Sequence, residues 1–151
     1  MPTDRPSPLV VVAPAPYLKP LPILNDLNRP FWDGLRAHEF RLPRCADCGD
    51  WNWVPYPACR TCQSEHQVWT PVSGQGTLYS FTVVYRGPGA FDADVPYVLA
   101  LGQLAEQPRV CTVFATLASV DPDEVSIGMP IQIGYVDIPS EDTTLYQWVP
   151  R

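Results

Sequence analysis

The sequence predicts a mainly β protein: an N-terminal helix and a rubredoxin-like zinc ribbon, followed by a five-stranded barrel of the OB type. Three observations carry this prediction. Cys45-x-x-Cys48 and Cys59-x-x-Cys62 are two Cys-x-x-Cys pairs separated by ten residues, the spacing of a four-thiolate metal site. From residue 68 onward, β-branched and aromatic residues recur with period two between Gly/Pro turns, the pattern of short half-buried strands. Nineteen prolines in 151 residues exceed twice the usual share of about 5% and work against a helical bundle.

Residues 1–27 read as a proline-rich arm, with Pro2, Pro6, Pro8, Pro14, Pro16, Pro20 and Pro22. Leu9–Ala13 is the one run in it suited to pairing as a strand. The rest is extended, and sequence leaves open whether it is disordered or lies along a partner surface. Its apolar content (Val10–Val12, Tyr17, Leu18, Leu21, Ile23, Leu24) favours docking.

Residues 28–70 read as helix plus ribbon. A helix is expected over residues 29–40, with Asn28 as its cap and Pro30 in the first turn, where a missing N–H costs nothing. Phe31, Leu35 and His38 share one face, with Trp32 beside them and Arg36 and Glu39 outward. Gly34 weakens the helix by about 1 kcal/mol relative to alanine, so packing or a partner must hold it. Phe31 and Trp32 suit either packing on the ribbon or docking on another subunit.

The cysteines follow. Zinc held by Cys45, Cys48, Cys59 and Cys62 closes its tetrahedron and leaves no position for substrate, so the metal is expected to be structural; iron suits the same geometry. Disulfides are disfavoured by the odd count of five cysteines and by an N-terminus unlike a secretory signal. Trp51, Trp53 and Tyr56 between the knuckles suit covering the ribbon's own core, or stacking on a flat ligand.

Residues 71–151 read as the barrel. Strands are expected at 77–86, 96–104, 109–115, 131–136 and 145–149, with a helical turn at Asp121–Val125. Another strand at 68–72 leaves the ribbon, and a loop through Phe91, Asp92 and Asp94 follows the first barrel strand. Five strands with one helical turn between the third and fourth fit a closed Greek-key barrel, whose closure hides its edges.

The formal charge is −6 and uneven: residues 28–62 carry five arginines against four acids, residues 63–151 three arginines against ten acids. An acidic body repels phosphate backbones, so nucleic acid is not an expected partner. No apolar run reaches the roughly 20 residues of a membrane span, and the chain reads as cytoplasmic. Arg36, Arg41, Arg44 and Arg60 form the one surface suited to an anion.

Phe31-Trp32-x-Gly34-Leu35, the two knuckles with Gly49 after the first, Gly74-x-Gly76-Thr77-Leu78-Tyr79-Ser80-Phe81-Thr82, Pro96-Tyr97-Val98 and Ile127-Gly128-Met129 follow one another in order. From about residue 28 to the C-terminus this resembles the zinc-ribbon-plus-OB-fold family catalogued as domain of unknown function thirty-five. Two departures stand out: Gln63 replaces the frequent glycine after the second knuckle, and the proline-rich arm lies outside the shared core. The resemblance implies a non-catalytic accessory subunit of a thiolase-superfamily, lipid-transfer-protein-like enzyme. Such pairs act on a steroid side-chain β-hydroxyacyl-CoA by retro-aldol C–C cleavage, an aldolase (lyase) activity of steroid degradation, with an α2β2 heterotetramer expected. The alternative it admits is a subunit that binds acyl-CoA within a MaoC-type hydratase or an acetoacetyl-CoA-forming thiolase complex. Phe31, Trp32, Arg36, Arg41, Arg44 and Arg60 are the candidate partner or CoA-phosphate contacts.

No reaction centre of the chain's own is legible. The two histidines, His38 and His66, sit in no local triad, and Cys111 in a strand reads as a small buried hydrophobe. Gly74-x-Gly76 and Gly87-x-Gly89 are turns between strands, not phosphate cradles. A stand-alone OB module stacking single-stranded nucleic acid on Trp51, Trp53, Tyr79 and Phe81 is the competing class; its need for a positive groove conflicts with the acidic barrel. A lone acyl-CoA carrier using the same four arginines is a third.

Overall fold

The computed structural model describes residues 9–106 and 112–151, with Thr112 described in its backbone alone. Elements run in the order β1 (Val10–Val12), α1 (Arg29–Arg36), β2 (Arg41–Cys45), β3 (Gln67–Pro71), β4 (Gln75–Val84), β5 (Tyr97–Leu104), β6 (Thr112–Leu117), β7 (Pro130–Ile138) and β8 (Thr143–Pro150). Strands β4 to β8 close a barrel in the order β7-β4-β5-β6-β8, with β8 pairing back to β7. The helical turn expected between the third and fourth barrel strands is a 3-10 turn at Pro122–Glu124, capped by the Asp121 side chain. Cys111 and the start of the strand expected at 109–115 lie outside the described residues.

The long strand β4 serves two neighbours. It pairs with β7 through Gln75–Thr77 and with β5 from Gly76 to Val84, bending at an irregularity between Leu78 and Ser80. Ser73–Gly76, expected as a turn, therefore contributes Gln75 and Gly76 to the strand. The core alternates as period two demands: Val98, Ala100 and Leu104 point inward from β5, Val113, Ala115 and Leu117 from β6, and Ile131, Ile133 and Tyr135 from β7. Trp148 of β8 is fully buried, and its indole N–H donates to the Val113 carbonyl at 2.9 Å. The ring packs against Gly102, where an added Cβ would come within 2.3 Å of the indole. The glycine is thus what admits the largest side chain of the core.

β1 adds to the outer margin of β7 in parallel, Val10 opposite Tyr135 and Val12 opposite Asp137. The arm then reaches the 3-10 turn at Gly89–Asp94, where Lys19 pairs with Asp94 and lies over the Phe91 ring. Before the helix, Asn25 and Asn28 exchange side-chain-to-backbone hydrogen bonds at 2.9 and 3.0 Å, and the Asn28 amide donates to the Ile23 carbonyl. Asn28 therefore ties the arm's end instead of capping α1 through its side chain, as was expected from its place before Pro30.

α1 stops at Arg36, four residues short of the expected end. The His38 N–H donates to the Leu35 carbonyl and the Glu39 N–H to Gly34, both at 2.8 Å, and His38 adopts φ +52°. This is a Schellman closure with histidine where glycine is usual. The closing chain crosses Gly34 so tightly that a Cβ there would meet the Glu39 carbonyl at 2.8 Å. The imidazole does not join the apolar face. Its Nε2 sits 2.9 and 3.0 Å from the Asp137 carboxylate oxygens, and the Thr144 hydroxyl donates to that carboxylate at 2.7 Å. A side chain 99 residues away along the chain thus offsets the left-handed strain at His38.

Phe31 and Leu35 of α1, with Phe40 and Leu42 around β2, belong to the same buried cluster as the barrel interior. Phe31 is the hub: its ring contacts those of Trp32, Phe40, Trp53, Trp69 and Tyr146 at centroid distances of 4.8–6.5 Å.

Burial pushes the Asp137 carboxyl upward, but hydrogen bonds from Thr144 and His38 outweigh it and hold the group below its ordinary value. Its contribution to stability is complete above the unfolded carboxyl's value near 3.8 and is lost as pH falls through the lower folded value. Asp137→Asn is expected to cost about 1–3 kcal/mol at pH 7 and to flatten the acid limb of the stability curve. Urea midpoints between pH 3 and 7 check both.

Candidate metal centre

The ribbon is built from backbone turns that aim sulfurs at one point. Cys45 ends β2, and its carbonyl accepts from the Gly49 N–H at 2.9 Å; the Cys59 carbonyl accepts from the Gln63 N–H at the same distance. The two knuckles are thus copies of one turn, each ending in a left-handed residue, Gly49 at φ +79° and Gln63 at φ +64°. Glycine meets that demand freely, and glutamine meets it under strain.

The four Sγ atoms of Cys45, Cys48, Cys59 and Cys62 lie within 4.8 Å of one another. Two distances link the knuckles, Cys45 to Cys62 at 3.5 Å and Cys48 to Cys59 at 3.6 Å. Metal–sulfur bonds of about 2.3 Å in a tetrahedron place sulfurs about 3.8 Å apart, whereas a disulfide needs about 2.05 Å. The set is therefore positioned to hold one metal ion. Cys45 and Cys59 are buried and Cys48 and Cys62 face solvent, so the metal position borders the surface.

The thiols' own electrostatics ask for a cation. The Cys62 N–H, followed by the Thr61 N–H and the Asn52 side chain, draws Cys59 down to about 6, and the Cys48 N–H lowers Cys45. The Asp50 N–H pulls on Cys48, but lost solvation and the three neighbouring sulfurs leave it at about 12. Cys62 is likewise raised, despite the Ser64 N–H, by the Cys45 sulfur and lost solvation. Four thiols this close cannot all ionise together unless a divalent ion balances them.

Supporting residues that sequence reasoning missed surround the knuckles. Asn52 is buried between the two tryptophans; its carbonyl oxygen accepts from the Arg60 N–H at 3.0 Å, inside the second knuckle. The Thr61 hydroxyl donates to Asp50 at 2.7 Å, and Asp47 gathers Ser64 and His66. The signal for Asn52 was its alternation with Trp51 and Trp53, which turns an amide inward where a ribbon has backbone groups to satisfy.

The structure separates the residues expected to meet a partner or phosphates. Phe31 is 2% exposed and lies at the centre of the aromatic cluster. Trp32 is half-buried against Phe31 and Tyr146. Arg36 is exposed but forked onto Asp142 at 2.8 and 2.9 Å, and Arg41 pairs with Glu39. Arg44 lies over the Trp51 ring and Arg60 over Tyr56, at 5.0 and 4.2 Å. The four arginines thus engage four different local partners. Trp53 packs on Phe31 and Phe40, the covering role expected of it.

Asn52→Ala is expected to lower metal affinity about 10–100-fold, as removal of outer-shell support does, measured by competition with a chromophoric chelator. Gln63→Gly, which relieves the left-handed strain, is expected to stabilise the metal-loaded protein by up to about 1 kcal/mol, read as a raised Tm.

Comparison with known proteins agrees with this geometry. The family described as "ChsH2, rubredoxin-like zinc ribbon domain" matches residues 32–67, and that described as "ChsH2, C-terminal OB-fold domain" matches residues 69–136. The chain is 41% identical over 120 residues to a 3-oxo-4,17-pregnadiene-20-carboxyl-CoA hydratase alpha subunit of Mycobacterium tuberculosis, covering 80% of this chain and 36% of the relative. It is 32% identical over 127 residues to a probable enoyl-CoA hydratase alpha subunit of Thermomonospora curvata, covering 83% and 38%. The chain thus spans little more than a third of these relatives' length. Among solved structures, the Ltp2-ChsH2(DUF35) aldolase has a chain that superposes with a TM-score of 0.77 at 27% identity, covering 86% of this chain and 98% of that one. With both parts matched in tandem and the fold shared over 86% of the chain, the chain belongs to the ChsH2-type zinc-ribbon and OB-fold family.

Proposed function

We propose that this chain is a non-catalytic accessory subunit of an acyl-CoA-processing enzyme. Its partner is a thiolase-superfamily, lipid-transfer-protein-like subunit, and the pair carries out retro-aldol cleavage of a steroid side-chain β-hydroxyacyl-CoA. The observation that supports this reading is the superposition over 98% of a chain of the Ltp2-ChsH2(DUF35) aldolase. In the reaction the β-hydroxyl gives up its proton, the Cα–Cβ bond breaks with its electron pair passing to Cα as a thioester enolate, and Cα takes up a proton, so that a ketone and a shortened acyl-CoA leave. The proposed organisation is an arm (1–27), a helix plus ribbon (28–70) and an OB-fold (71–151), with two copies of each subunit in an α2β2 complex. Zinc is the proposed metal: the residues to hold it are Cys45, Cys48, Cys59 and Cys62, and a four-sulfur set gives it a structural role alone. No helix among the described residues is long and apolar enough to cross a membrane.

A second reading has its own support. The 41% identity to a hydratase alpha subunit favours a place in a MaoC-type hydratase complex. The two readings separate in one experiment. The chain is co-expressed with an Ltp2-type subunit and, separately, with a MaoC-type hydratase subunit. Each pair is supplied with a steroid β-hydroxyacyl-CoA and the matching enoyl-CoA. Copurification and ketone release with the Ltp2-type subunit alone, and neither protein active by itself, is the expected result. Hydration with the MaoC-type subunit alone would establish the second reading, and turnover by the isolated chain would refute both. Metal analysis of the purified chain is expected to return one zinc per chain.

A further inference from the structure

The arm holds apolar side chains in water at a cost that nothing among the described residues repays. Leu18 is 74% exposed and Ile23 88%, with Leu21, Leu24 and Leu27 at 37–41%. This is not a loose tail. One end is fixed by the β1–β7 pairing and by the Ala13 N–H donating to Asp137. Its middle is fixed by Lys19 on Asp94 and Phe91. Its far end is fixed by the Asn25–Asn28 exchange and by Asn28 on the carbonyl of Ile23, the most exposed of these side chains. A segment already ordered pays less to bind.

Two features select the occupant. Between residues 9 and 27 the only charges are Lys19 and Asp26, and Lys19 is spent on Asp94. The one remaining charge, Asp26, is negative, so the complementary surface is apolar and free of acidic groups, which excludes nucleic acid and acidic peptides. Pro14, Pro16, Pro20 and Pro22 remove the N–H groups a sheet edge would need, so a second copy's strands cannot pair along the segment. What remains is an ordered strip of exposed apolar side chains outside any strand or helix, suited to a groove of another protein.

We propose that Leu18–Leu27 is the strip by which this chain docks on its enzyme subunit, entering an apolar groove of that subunit free of acidic groups. The proposal rests on the accessory-subunit reading above. It places the main contact on the arm, which lies N-terminal to both matched family regions.

The test uses the full metal-loaded chain and the Ltp2-type subunit. A Leu18→Asp/Ile23→Asp double variant is compared with Phe114→Asp, which alters an exposed barrel residue far along the chain. The double variant is expected to bind about 100-fold more weakly, as befits two side chains no longer buried. Its metal content and circular dichroism are expected to stay those of the native chain, and Phe114→Asp to bind normally. Native binding by the double variant, or loss of binding by Phe114→Asp instead, would overturn the proposal and leave the accessory reading standing. A native chain that forms its own dimer, dissolved by the double variant, would overturn it in favour of a second copy. A native chain that binds neither enzyme subunit would overturn the accessory reading and this proposal with it.

Discussion

The contact on which the architecture turns is Phe31 against five other rings. A metal-held ribbon is too small to bury a core of its own. Here it borrows one: Trp53 and Trp69 from the ribbon side and Tyr146 from β8 meet on a phenyl group from α1. Tyr146 is half-buried against the cluster; loss of solvent there lifts its hydroxyl to about 12, and the hydroxyl donates to the Phe114 carbonyl. Helix, ribbon and barrel therefore share one interior. Metal binding and barrel packing are coupled through it, since the hairpin that carries Cys45 also carries Leu42 into the common cluster.

The sulfurs and the aromatic hub divide the labour between charge and area. Around the sulfurs, backbone N–H groups and Asn52 prepare a negative site that a divalent ion completes. Around the hub, apolar area does the work and no charge is buried. The His38–Asp137 contact stands between the two. It fixes the end of α1 to the strand on which β1 is laid, so one residue ties helix and barrel through its carboxylate and the arm through its backbone carbonyl.

Much of this was legible in the residues, for local reasons. The knuckles were legible because Cys-x-x-Cys is a local turn, and the strands because period two is a local pattern. What escaped depended on distant parts of the chain. The helix end at Arg36 required knowing that Asp137 would hold His38 in a left-handed conformation. The role of Phe31 depended on Tyr146 arriving from the last strand. The start of β4 at Gln75 was hidden because Gly76 looks like a turn residue until Leu104 and Ile131 are placed opposite it. Gln63 was noted as a departure from a glycine; its φ shows that the turn was kept and the strain accepted.

The parallel strand β1 has a consequence for how the protein behaves in a crowded solution. Beyond Gln132, β7 has no partner from β4, and bare peptide groups from Tyr135 to Asp137 would form an adhesive seam for any extended chain. Val10–Val12 occupy that seam from within the same molecule, and the proline at position 14 stops the ladder from growing further. The arm thus shields this margin of β7 from pairing with another molecule, and a cut that removed it would bare those peptide groups.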